Sequence, residues 1–125
     1  MNKSIPTPSK NRVSVFIYES MNREGGIQSI VYRELDRAYE QGKIAYVISK
    51  PFKSRLQHDK NCRLEYEAKP EKLADEIVRR MSGGGLAIDI IALSPDATPI
   101  AQLLRDAIST YSQVQYARAC VTILH

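Results

Sequence analysis

The chain has no tryptophan, two phenylalanines and two cysteines in 125 residues. Two thiols cannot build the disulfide framework of a small secreted domain, so Cys62 and Cys120 read as reduced, buried or semi-buried side chains. Long apolar runs are also missing. Nothing approaches the ~18 consecutive apolar residues a membrane span requires. The opening stretch, Met1 to Asn11, carries Pro6 and Pro8 and no apolar core, which excludes a secretory signal of ordinary form. These absences lead to the expectation of a cytoplasmic protein with no membrane partner.

What is present suits one globular domain. Hydrophobic residues make up 43% and charged residues 26%, ordinary values for a chain long enough to bury a core without staples. The reading is a flexible basic arm, 1–12, followed by a single α/β domain, 13–125. The net charge of +4 is unevenly spread. Lys3, Lys10 and Arg12 give the arm +3, while Lys50, Lys53, Arg55, Lys60 and Arg63 against Asp59 give residues 50–63 a charge of +4. The remainder sums to −3.

Hydrophobic periodicity sets the element order. Val13 to Tyr18 (VSVFIY) reads as a buried strand. Ile27, Ile30, Val31, Leu35 and Ala38 share a helical face, and Gly42 stands where a left-handed cap belongs. Ile44 to Ser49 (IAYVIS) is a second strand, completing a βαβ unit with a right-handed crossover. After the long loop 50–63, Arg63 to Ala68 alternates as a short edge strand. Pro70 opens a helix with Leu73, Ala74, Ile77, Val78 and Met81 inward, which Gly83, Gly84 and Gly85 end. Leu86 to Leu93 is the next strand. Thr98 then caps, and Pro99 starts, a helix whose core face is Ile100, Leu103, Leu104, Ala107, Ile108 and Tyr111. Ala119 to Leu124 closes the sheet. A shift of 73 residues lays the first βαβ unit on the last in hydrophobic pattern. The fold expected is a three-layer α/β domain with a mostly parallel sheet of four to five strands, built from two βαβ-like units.

In such sheets ligands lie beyond the carboxyl ends of the strands. Those ends lead into the loops 19–26, 50–63 and 94–98. Ser20, Asn22, Arg23, Gly25 and Gly26, with Asp96 and Thr98, form a candidate anion site ahead of helix N-termini. The spacing is not that of a P-loop or a dinucleotide fingerprint. His58 and Cys62 are too few to hold a metal, and Glu65, Glu67 and Lys69 lack the acidic partner on the preceding strand that a metal-dependent nuclease needs. No catalytic residue, metal or cofactor is assigned. The sharper signal is the basic loop, where Lys50, Lys53, Arg55, Lys60 and Arg63 would contact phosphates and Phe52 would stack.

The order of elements resembles the catalytic domain of serine recombinases and resolvases, which opens with a strand ending in tyrosine-x-arginine-x-serine. Here the corresponding residues are Tyr18, Glu19, Ser20, Met21 and Asn22, followed by Gln28, by YRELDRAYEQG (Tyr32 to Gly42) and by Lys69-Pro70. Ser20 stands in place of the family's arginine and Asn22 in place of its nucleophilic serine, and no arginine pair follows Leu93. Strand exchange needs those groups to attack and stabilise a phosphate. The resemblance therefore implies a degenerate, non-catalytic relative.

The expectation is thus a non-enzymatic, nucleic-acid-associated domain, DNA favoured, of the kind that accompanies a mobile element. Two alternatives stay open. One is a small-anion, nucleotide-binding or enzymatic domain using 19–26 and 94–98. The other is a structural homodimeric interaction module paired through a sheet edge such as 63–68, and a homo-oligomer is the expected assembly.

Overall fold

A computed structural model describes residues 11–21, 26–41, 44–52, 63–81 and 83–121. In chain order the elements are β1 (Arg12–Ile17), α1 (Gly26–Glu40), β2 (Ile44–Ser49), β3 (Arg63–Glu65), α2 (Pro70–Arg80), β4 (Leu86–Ala92), α3 (Ala97–Ile108) and β5 (Val114–Val121). The five strands form one sheet in the order β3-β2-β1-β4-β5, and every pairing is parallel. The sheet expected as mostly parallel is wholly so, in a single α/β domain.

Side-chain alternation along β1 and β4 assigns the layers. Val13, Val15 and Ile17, with Leu86, Ile88, Ile90 and Ala92, pack against Leu73, Ala74 and Ile77 of α2 and Ala101, Leu104 and Ile108 of α3. Across the sheet, Ala45 and Val47 of β2 meet Val31, Tyr32 and Leu35 of α1, with Phe16 and Ile91 at the margin. The chain leaves β1 toward β2 and leaves β4 toward β5, in opposite directions. Right-handed crossovers then require α1 and α3 to lie on opposite faces. The two βαβ units meet at the β1–β4 seam, where Val13 lies beside Ile88 and Val15 beside Ile90.

Local chemistry accounts for several boundaries. Lys69 has φ −66° and ψ 148°, the extended backbone that a following proline imposes, and Pro70 opens α2. Gly83 and Gly85 have φ of +87° and +70°, so the connection into β4 uses the left-handed region twice.

Other boundaries differ from expectation. Arg12 belongs to β1 rather than to an arm. Within the Arg63 to Ala68 stretch, only three residues form β3, because the Ala68 N–H turns back to the Glu65 carbonyl at 3.2 Å. Thr98 is not the cap of α3: the Ala97 N–H already bonds the Ser94 carbonyl and the Thr98 N–H that of Pro95, so Asp96 is the N-cap. Leu103 is 55% exposed, since the buried face of α3 runs through Ala97, Ala101, Leu104 and Ile108. β5 begins five residues earlier than Ala119, its half-exposed alternation VQYARACV giving no apolar run to read. Gly42 and residues 122–124 lie outside the described residues.

Candidate functional site at the carboxyl edge of the sheet

Because β1 and β4 are neighbours whose chains depart in opposite directions, their carboxyl ends open the crevice where open α/β sheets place ligands. The loops around it are stitched by backbone hydrogen bonds. The Leu93 N–H donates to the Ile17 carbonyl at 3.1 Å, Tyr18 to Ile48 at 3.1 Å, Lys50 to Glu19 at 2.9 Å and Tyr66 to Ser49 at 3.1 Å. The buried Gln28 side chain, in the first turn of α1, donates to the Ser20 carbonyl at 3.2 Å and ties the loop after β1 to that helix.

Lys50 Nζ lies 2.8 Å from Glu19 Oε2. The hydrogen bond to Glu19, and then its charge, raise the Lys50 ammonium above its ordinary pKa. Arg63 reaches from β3 and donates to the Ser49 carbonyl at 2.8 Å. Tyr66 follows β3, and burial pushes its phenol pKa up, with the carboxylates of Glu19, Asp96 and Glu67 adding to the shift. The phenol is therefore a neutral hydroxyl over a wide pH range, within the fields of Glu19 after β1 and Asp96 after β4.

Of the residues expected to contact nucleic acid, Lys50, Phe52 and Arg63 are described, while Lys53, Arg55 and Lys60 lie outside the described residues. The Phe52 ring meets the Tyr32 ring edge-on, with centroids 6.1 Å apart and planes at 75°. It packs against the α1 cluster, which fixes where the segment leaves β2. In the candidate anion site, Asn22, Arg23 and Gly25 lie outside the described residues, as do His58 and Cys62. Ser20, Gly26, Asp96 and Thr98 stand at the carboxyl edge. The first turn of α3 has little to offer an anion. Its first two N–H groups are engaged by Ser94 and Pro95, Pro99 has none, and the Asp96 carboxylate stands at the helix start.

Glu19 and Tyr66 are the site residues that sequence reasoning passed over. Glu19 read as the first residue of the loop 19–26 and Tyr66 as one position of an edge strand, and no local pattern links either to Lys50. Among the described residues, no group of three or more histidines, cysteines, aspartates or glutamates could hold a metal ion, and no helix is long and apolar enough to cross a membrane. Cys120 is a partly buried free thiol. No protein-family model matches the chain, and neither a curated protein nor a solved structure is significantly similar to it. The arrangement can therefore be judged only on its own chemistry: a carboxyl edge with one held lysine, a neutral phenol and an entry to the most basic segment of the chain.

Proposed function

We propose that the chain binds nucleic-acid phosphate through residues 50–63, without catalysing a reaction on it. The observation that carries this reading is the position of the two ends of the segment. Lys50 follows β2 at the carboxyl edge, tied to the loop that leaves β1 beside the strand-order reversal, and Arg63, which begins β3 level with Val47, reaches the same edge through its guanidinium on the Ser49 carbonyl. A segment carrying +4 thus departs from the edge that open α/β sheets use for ligands. Lys50 is held by Glu19 yet half exposed, and an ammonium has three donors, which leaves capacity for a phosphate oxygen.

The resemblance in element order to serine recombinases supplies the setting, a degenerate and non-catalytic companion of DNA handling in a mobile element. The small-anion reading receives less support, because the first turn of α3 has its N–H groups engaged and an aspartate at its start. Pairing of copies through β3 has only three residues to work with.

The test is fluorescence-anisotropy binding to random duplex DNA over a salt series. Neutralising Lys53, Arg55, Lys60 and Arg63 together removes up to four phosphate contacts and should flatten the slope of log K against log salt by roughly three to four. Equal slopes for the two proteins would sink the assignment to this segment, and no binding by the unmodified chain at low salt would sink the nucleic-acid reading altogether.

A further inference from the structure

All-parallel sheets normally have both faces covered, and here the β4–β5 half is covered on one face only among the described elements. α3 packs against one side, whereas the buried residues of α1 lie over β2 on the other. The parallel registers arrange the residues of this second face as a grid of three rows across β1, β4 and β5. Arg12, Ala87 and Tyr116 form one row, Ser14, Asp89 and Arg118 the next, and Phe16, Ile91 and Cys120 the third. The third row is the one whose Phe16 and Ile91 run under the edge of α1. The other two present Tyr116, 45% exposed, and the Arg12 and Arg118 side chains, 60% and 62% exposed.

Asp89, only 21% exposed, holds both guanidiniums: Arg118 at 3.1 Å on Oδ1 and Arg12 at 3.8 Å on Oδ2. Two exposed cations thus surround one recessed carboxylate, and the face is net positive. With strands ~4.8 Å apart, Arg12 and Tyr116 stand about 10 Å from each other, the span of a short stretch of chain laid across the sheet. A second copy stacked on this face would set four guanidiniums against two carboxylates, so the charge favours an anionic partner over self-association.

We infer that the open face of β1, β4 and β5 is a single-stranded nucleic-acid platform, with a base stacking on Tyr116 and phosphates meeting Arg12 and Arg118. A sheet surface that combines one exposed aromatic ring with fixed guanidiniums is the chemistry of such platforms. The surface is separate from residues 50–63 and stands or falls apart from them.

The experiment measures anisotropy of a labelled oligothymidylate with the full chain, with Tyr116→Ser, Tyr116→Phe and Arg118→Gln, and with the quadruple 53/55/60/63 alanine variant. Thermal melts confirm that each variant is folded. Photocrosslinking of a bromouracil oligonucleotide to the unmodified chain, read by peptide mass spectrometry, requires no substitution. Tyr116→Ser should lose affinity on the order of tenfold while Tyr116→Phe retains it, and crosslinks should fall within 114–121. Crosslinks confined to other segments, or unchanged affinity in Tyr116→Ser and Arg118→Gln, would overturn the platform. If only the quadruple variant weakens, the basic segment stands and the platform fails. If nothing binds, both fail. Sedimentation showing a dimer that Arg118→Gln disperses would assign the face to a second copy instead.

Discussion

Lys50 is bound to Glu19 twice, by its backbone N–H to the Glu19 carbonyl at 2.9 Å and by its ammonium to the Glu19 carboxylate at 2.8 Å. The first contact extends the parallel ladder between β1 and β2 by one step past the strands. The second places a negative charge at the entrance to the most basic segment of the chain. Both follow from one register, in which Ile17 lies beside Ile48.

Glu19→Gln removes that charge and keeps the backbone contact. With residues 50–63 as the phosphate-binding segment, Lys50, no longer neutralised by Glu19, should engage phosphate with its full charge, steepening the salt dependence of DNA affinity by up to about one. An anisotropy series at several salt concentrations reads the slope directly. An unchanged slope would leave Lys50 outside the footprint.

Alkaline pH should expose the strain between Tyr66 and its acidic neighbours. The folded chain holds the phenolic proton above the ordinary value of 10.0, through burial and then the fields of Glu19, Asp96 and Glu67. Below the unfolded pKa both states keep the proton and stability is constant. As pH rises past it, the unfolded chain ionises first, and this contribution is lost through the folded pKa. The Lys50 ammonium, also raised, gives up its contribution in the same alkaline window. Urea midpoints between pH 9 and 12 should therefore fall less steeply in Tyr66→Phe than in the unmodified chain.

Leu103 and Leu104 are adjacent in α3 and opposite in environment, the first 55% exposed and the second fully buried against β1 and β4. Leu104→Ala should cost about 2–5 kcal/mol in urea unfolding. Leu103→Ala should stay within about 0.5 kcal/mol. Leu103 lies beside Pro70, Glu71 and Tyr111 in a groove of about 480 Å³ between α2 and α3, off the face that α3 buries through Ala97, Ala101, Leu104 and Ile108.

The three consecutive glycines before β4 are not equivalent. Gly85 has φ +70°, and an alanine there should cost about 1–2 kcal/mol from backbone strain alone. A Cβ at Gly84 would meet nothing within 4 Å, and the backbone there does not require glycine. Gly84→Ala should be neutral or stabilise by up to about 1 kcal/mol, through a less flexible unfolded chain. Chemical denaturation of the two variants side by side separates the effects.

Most of this architecture can be read along the chain because β2 is buried on both faces, β1 and β4 each bury every second residue, and the helices bury one stripe each. VSVFIY, IAYVIS and LAIDIIAL are apolar apart from Ser14, Ser49 and Asp89, and Ile27, Val31 and Leu35 keep a helical period. Legibility fails at the edges. β5 has one face against α3 and the other in solvent, so its pattern is broken by Gln115, Tyr116 and Arg118 and the apolar run begins only at Ala119. The face of α3 is ambiguous because Leu103 and Leu104 are both apolar, and only the position of α2 decides between them.

The site is less legible for a different reason. Lys50 and Glu19 are far apart in sequence and meet only because the β1–β2 register brings them level. Arg12, Asp89 and Arg118 converge from three strands for the same reason. Local periodicity predicts strands, but which residues stand side by side is a property of strand order. The basic character of 50–63, by contrast, is composition and can be read directly.

The position of β1 in the middle of the sheet also sets a schedule for synthesis. β1 pairs with β2 early, but its other edge is completed only by β4, more than seventy positions farther along the chain. At ~5–20 residues per second, the ribosome needs some seconds to pass from the end of β2 to the end of β4. Through that interval Val13, Val15 and Ile17 belong to a strand with an unpaired edge, and until α2 has emerged no helix covers the face they point to, the condition in which nascent sheets are most open to pairing with the wrong strand. Folding of this domain is thus held back by its own strand order until β4 arrives.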